Sequence, residues 1–301
     1  MVEVTGDHFQ TLATDGDVKL GGCDWDQAIV DYIATEYGRE NRGLDPRDDP
    51  GTLQKLLLQA EDVKRSLSLR SDAKVFLDPP YQFRCGLTRE KFEELTEDLV
   101  NRTRWTTESV REMSGKTWDQ IDTILLVGGS GRMPMITRML EDLTGKKVTE
   151  SVSKDEAIAW GAALYAKAIL DRQAGKPAIA IGNVNAHSLG VQVTDRETGR
   201  PRLSVILEPN QKLPAEGKKS YTVRGASQSI KLKVFEAADP SCTRGNIGDV
   251  VFQPKRPLQV GERVEITFRY EQNGRLRIRI ERLGTGESWD QELNRNATTT
   301  Q

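Results

Sequence analysis

The side chains of this chain change period near Asn183, and that change forces two differently built halves. Beyond it the apolar residues alternate. Leu189, Val191 and Val193 do so, as do Leu203 and Val205, then Ile230, Leu232 and Val234, then Val264, Ile266 and Phe268. Leu276, Ile278 and Ile280 interleave with Arg275, Arg277 and Arg279 across from them, after Asn273-Gly274, which predicts a two-residue hairpin turn. Period two with one wet face describes strands of an antiparallel all-β domain. Before Asn183, short apolar runs alternate with stretches of helical spacing, the pattern of an α/β domain. A length of 301 residues accommodates a core in each half.

Within the first half, Ile124 to Val127 reads as a buried strand that stops at Gly128, Gly129 and Gly131. Met135, Ile136, Met139, Leu140 and Leu143 then fall at helix spacing, and Gly145 ends the pattern. A strand, a glycine turn and a helix start can hold an anion, because unpartnered backbone N–H groups point outward and glycine lets a phosphate approach. Ser130 adds a hydroxyl and Arg132 a fixed charge. No Gly-Lys-Ser/Thr follows, so the turn is no P-loop, and by itself it is equally a plain chain reversal.

A helix from Thr52 to Ser68 carries two stripes. Leu56, Ala60, Val63 and Leu67 form an apolar one, and Glu61, Lys64, Arg65 and Ser68 form a polar one beside it. The polar stripe is either a solvated face with internal ion pairs or a purine–ribose clamp. In the clamp, Arg65 stacks on a base, Glu61 and Lys64 bond ribose hydroxyls, and Ser68 reaches a ring nitrogen. Further helices are expected from Trp25 to Tyr37 (ending at Gly38), from Phe92 to near Gly115, and through Trp160 and Leu164, the last opened by a capping box of Ser153 and Glu156.

Composition removes several classes of function. A net charge of −2 gives no general pull toward nucleic acid or membrane. No apolar run is long enough to span a bilayer, and the first residues lack the pattern of a signal peptide. Three cysteines, Cys23, Cys85 and Cys242, lie far apart without metal spacing, which suits a reducing, cytoplasmic setting. With only His8 and His187, a zinc site or a Ser-His-Asp triad is not expected.

Five ordered motifs resemble the heat shock protein 70 family of chaperones. They are Leu20-Gly21-Gly22-Cys23-Asp24-Trp25-Asp26, Ala60 to Ser68, Thr88 to Leu95, Leu126 to Pro134, and Asp155-Glu156-Ala157-Ile158-Ala159-Trp160-Gly161-Ala162-Ala163. Asn183 to Gly190 resembles the start of the family's substrate domain. The fold implied is an α/β actin-like ATPase lobe, incomplete, followed by an all-β sandwich domain. Residues 1–172 would form the second lobe, 173–184 the interdomain linker, 185–290 the peptide-binding sandwich and 291–301 a disordered tail. The resemblance implies ATP or ADP bound by Glu61, Lys64, Arg65, Ser68, Gly128, Gly129, Ser130, Arg132 and Asp155, with magnesium carried only through the nucleotide. It further implies extended apolar peptides of unfolded proteins on Val191, Ile230 and Leu232, together with co-chaperones and a nucleotide exchange factor. Thr194 stands where an apolar arch residue is expected.

The family's first lobe, its phosphate loops with their catalytic lysine and carboxylates, and its helical lid have no counterpart in these residues. The expectation is therefore nucleotide binding with poor hydrolysis. The given start is also compatible with a position inside a longer reading frame. The alternative is a non-enzymatic peptide-binding module whose nucleotide lobe is vestigial. Arg275, Arg277 and Arg279 also invite an RNA partner, but Glu265, Glu271, Glu281 and Glu287 lie close in sequence and no exposed aromatic stripe accompanies the arginines.

Overall fold

The computed structural model describes residues 1–17, 19–77, 81–149, 156–195, 198–237 and 246–293. In chain order, the first elements are β1 (Val2–Thr5), β2 (His8–Thr11), α1 (Gly22–Glu40), α2 (Pro50–Leu69), β3 (Asp72–Leu77), β4 (Phe83–Thr88), α3 (Arg89–Leu95), α4 (Glu97–Ser114), β5 (Ile124–Leu125), α5 (Pro134–Thr144), β6 (Val148–Thr149) and α6 (Ala157–Gln173). Then come β7 (Ala180–Gly182), β8 (Ser188–Thr194), β9 (Pro201–Leu207), β10 (Ala215–Thr222), β11 (Ile230–Ala237), β12 (Asn246–Phe252), β13 (Arg263–Tyr270), β14 (Leu276–Arg282) and β15 (Glu287–Glu292). The chain divides into two compact units, Gly16–Pro177 and Met1–Asp15 with Ala178–Gln301.

The Gly16–Pro177 unit is built on α1 and α2. The predicted apolar stripe of α2 is buried in full, and Leu56, Ala60, Val63 and Leu67 pack with Ile29, Ile33 and Tyr37 of α1 and Phe83 and Leu87 of β4. Asp49 caps α2, accepting the Thr52 N–H at 2.8 Å, and Pro50 opens its first turn. Two expected boundaries move. Gly38 lies inside α1, which runs on to Glu40; a Cβ there would sit 3.3 Å from the Leu44 carbonyl, so the glycine serves a close approach of the returning chain. The long helix after Phe92 is two helices, parted at Thr96, whose buried hydroxyl donates to the Phe92 carbonyl at 2.8 Å. Gly115 and Gly145 do end helices, each in the left-handed region. The capping box lies partly on Ser153, outside the described residues. α6 leaves Trp160 64% and Leu164 58% exposed.

The other unit contains two four-stranded sheets, ordered β12-β11-β8-β9 and β10-β13-β14-β15. Leu189, Val191, Val234 and Phe252 from the first share one core with Ile266, Phe268, Ile278 and Ile280 from the second. The alternation in sequence thus marks the buried faces. The β13–β14 connection is not the two-residue turn expected. Glu271 N–H donates to the Arg275 carbonyl and Gly274 N–H to the Glu271 carbonyl, leaving a longer loop that closes on Gly274 at φ 78°.

The first fifteen residues depart from the expected grouping of 1–172. β1 and β2 form a hairpin, and β2 pairs in parallel with β7, His8 opposite Ala180 and Gln10 opposite Gly182. The backbone edge of β2 is satisfied by the segment read as a linker, and Thr14 N–H donates to Asn210 Oδ1 at 2.9 Å. The division after Pro177 falls within the expected linker.

A buried guanidinium fastens the second four-stranded sheet. Arg282, 6% exposed, donates from Nη2 to both Glu262 carboxylate oxygens at 2.6 and 2.7 Å. That contact holds the Glu262 carboxyl below its ordinary value of 4.5. A lowered carboxylate pKa stabilises the fold above the unfolded value, and the gain is lost as pH falls through the folded one. Urea midpoints of this unit's transition should therefore drop between pH 5 and pH 3 by more in the parent chain than in Glu262→Gln. Parallel pH profiles for the two proteins would refute the assignment.

Candidate functional site

The candidate site is assembled within the Gly16–Pro177 unit where α1 starts, α2 passes and the glycine turn bends. α1 starts at Gly22 because Gly21 is extended and donates its N–H to Asp24 Oδ2 at 2.7 Å. One turn of helix further, Asp26 points at α2. Lys64 Nζ on α2 donates to Asp26 Oδ2 at 2.8 Å and to the Gly22 carbonyl at 2.9 Å. The two charged side chains are only 15% and 12% exposed, so one shielded ammonium ties the two helices together. Ser130 of the glycine turn meets them there, since a Cβ on Gly22 would lie 3.2 Å from Lys64 Nζ and 3.6 Å from Ser130 Oγ.

The glycine turn differs in detail from the sequence expectation. Gly128 takes φ 80°, and a 3-10 turn, Gly129–Arg132, intervenes before α5 begins at Pro134. The strand before it is short, Ile124–Leu125, pairing in parallel with Val148–Thr149. The 3-10 turn therefore stands between the strand and the α5 N-terminus.

The two segments share one hollow. Glu61, Lys64, Arg65 and Ser68 of α2 and Gly129, Ser130 and Arg132 of the turn line a cavity of about 730 Å³, within the usual range for small-molecule sites. Arg65 is largely exposed, with Nη2 2.5 Å from Glu61 Oε1. Ser68 Oγ donates to the Lys64 carbonyl at 3.1 Å. Gly128 shapes the bend without lining the cavity, and Asp155 lies outside the described residues. Gly22, Leu69 and Met133 also line it. Sequence reasoning gave them no role, although Gly22 belongs to a quoted motif and Leu69 and Met133 each directly follow a predicted site residue. Asp26 closes the same motif, and its role is set by a lysine 38 residues away.

The three candidate peptide residues share one sheet face. Ile230 lies opposite Phe252, Leu232 opposite Val250, and Val191 opposite Val234. Val191 is 1% and Leu232 8% exposed, so both fill the shared core, while Ile230 reaches its half-buried margin. On the outer face of the other sheet the arginine row is paired with carboxylates. Arg275 is 3.4 Å from Glu292, Arg277 3.1 Å from Glu271, and Arg279 3.7 Å from Glu281.

The whole chain, residues 1–301, matches the protein-family model described as Hsp70 protein. The chaperone protein DnaK of Deinococcus proteolyticus is 33% identical over 291 residues, covering 93% of this chain and 45% of the relative. That of Halobacterium salinarum is 33% identical over 286 residues, covering 92% and 44%.

The chain belongs to the Hsp70 family.

This Hsp70-family chain spans less than half the length of the curated relatives it matches. Among its described residues, no helix is long and apolar enough to cross a membrane, and no three His, Cys, Asp or Glu side chains cluster as a metal site. Two of its cysteines differ sharply in setting. Cys23 is exposed in the first turn of α1, next to the cavity, whereas burial pushes the Cys85 thiol up to about 11. An alkylating reagent at pH 7.5 should modify Cys23 at least about tenfold faster than Cys85 in the folded chain. Equal rates, read by peptide mass spectrometry, would contradict that placement.

Proposed function

We propose that the Gly16–Pro177 unit of this Hsp70-family chain is an actin-like lobe that binds ADP or ATP in the cavity beside α2, and that the sheet-rich unit is a β sandwich that binds extended apolar peptides of unfolded proteins. The observation that carries the nucleotide reading is the shared hollow. Two segments more than sixty residues apart in sequence, each able to recognise one part of a nucleotide, line the same cavity. Arg65 offers a flat cation for the base and Ser68 a hydroxyl for a ring nitrogen. Glu61 and Lys64 offer an acceptor and a donor for ribose hydroxyls. Gly129, Ser130 and Arg132, with Gly128 setting the bend and Asp155 added by resemblance, face the phosphates. The cavity's size and its mix of flat, polar and cationic side chains fit an adenine nucleotide. Magnesium would arrive on the phosphates.

Hydrolysis requires several positioned cations, a metal and carboxylates around the transferred phosphoryl group. The cavity's own charged lining is Glu61, Lys64, Arg65 and Arg132, which suits holding a nucleotide better than cleaving it. The chain as given therefore binds more than it turns over. Peptide binding by Val191, Ile230 and Leu232 would use strand-like main-chain pairing and an apolar pocket, which requires Val191 and Leu232 to be uncovered from the core. Co-chaperones, a nucleotide exchange factor and a cytoplasmic setting belong to the same reading. A second reading, a peptide-binding module with a vestigial nucleotide lobe, draws support from the internal pairing of Lys64 with Asp26 and Arg65 with Glu61.

Calorimetry separates the two. ADP should bind at one site, Arg65→Ala should weaken it by about tenfold or more, and Gly129→Val should abolish it by filling the hollow. Absence of ADP binding in the parent chain, or unaltered affinity in both variants, would favour the vestigial lobe. With ATP and magnesium, steady turnover should stay at the buffer background; sustained phosphate release would refute the expected deficiency.

A further inference from the structure

Asp26 does not line the cavity, yet it sets the charge of one cavity wall. An ammonium has three N–H donors. Lys64 spends one on the Gly22 carbonyl at 2.9 Å and another on Asp26 Oδ2 at 2.8 Å, and its Nζ is also 2.8 Å from Asp26 Oδ1, which leaves at most one donor for the hollow. Its positive charge is compensated in the same contact. Because both side chains are mostly shielded from water, solvent screens that compensation only weakly. The next ion pair on this wall is also balanced, Glu61 with Arg65. The α2 wall therefore presents donors and acceptors with no surplus cation.

We infer that Asp26 is a positioning residue that makes the α2 wall select a ribose whose 2′ and 3′ hydroxyls are unphosphorylated. The inference rests on the nucleotide reading above and adds to it a sorting of charge. A hydroxyl needs one donor from Lys64 and one acceptor from Glu61. A phosphate in the same place would face the Asp26 and Glu61 carboxylates with no unbalanced cation to meet it. Without the Asp26 charge, Lys64 becomes a net cation and the wall accepts a phosphate. A bare tie between α1 and α2 would predict nothing about where on the nucleotide a phosphate is tolerated.

ADP and adenosine 3′,5′-bisphosphate carry two phosphates each and differ in their placement. Calorimetry with these two probes on the full chain tests the inference. The parent chain should prefer ADP by at least about tenfold, the effect of one uncompensated charge a few ångströms away. In Asp26→Asn that preference should shrink at least about threefold, chiefly by tighter binding of the bisphosphate. In Lys64→Gln, which leaves Asp26 uncompensated, the preference should grow, and this variant decides the matter if Asp26→Asn does not fold. An equal preference in the parent chain and in whichever variant folds, with both probes bound, would overturn the positioning role while leaving the nucleotide site standing. Binding of neither probe to the parent chain would overturn the nucleotide reading and the inference with it.

Discussion

One shielded ammonium holds the candidate site together. Lys64 ties the start of α1 to the middle of α2 through Asp26 and the Gly22 carbonyl, and Ser130 closes on the same point. A charge so shielded is tolerable only when paired and hydrogen-bonded, so the contact fixes geometry as well as neutralising charge. Gly22 is the second half of that constraint. A Cβ there would press on the Lys64 ammonium at 3.2 Å.

Around this point the two stripes of α2 divide the work. The apolar stripe locks the helix into the core of its unit, and the polar stripe is thereby held facing the cavity. A rigid support of this kind keeps side chains in place ahead of a ligand, which lowers the ordering cost of binding. The same unit leaves the apolar side chains of α6 open, Trp160 and Leu164 among them. Such a surface favours association, so the isolated chain is a candidate for aggregation.

Periodic features were legible from sequence, and contacts between distant backbone edges were not. The α2 stripes follow from helical spacing, and β8, β9, β11, β13 and β14 follow from alternation, because burial of one face imposes those periods directly. Gly129 and Arg65 were assigned to one site by motif, and the cavity joins them. The pairing of β2 with β7 left no trace in the side chains, since main-chain groups make it. Gly38 resembled a helix stop because glycine usually marks one, yet here close packing against Leu44 explains it. The role of Asp26 was hidden for a different reason. Within its own helix it reads as an ordinary acidic residue, and only folding brings Lys64 to it.

The Arg275, Arg277 and Arg279 row shows the opposite error avoided. A run of cations invites an anionic partner, but Glu271 of the preceding loop, Glu281 of the same strand and Glu292 of β15 each pair with one of them. Charge read along one strand overstates what a sheet surface offers. The same caution applies to α2, where paired cations alone say little and the hollow they border says more. The central claim is that one adenine nucleotide contacts both α2 and the glycine turn. An amide-resolved NMR titration with ADP tests it most directly. The account predicts that signals of Arg65 and Ser68 and those of Gly129 and Ser130 move together and saturate with one common affinity. Shifts confined to one of the two segments, or to the sheet-rich unit, would contradict it.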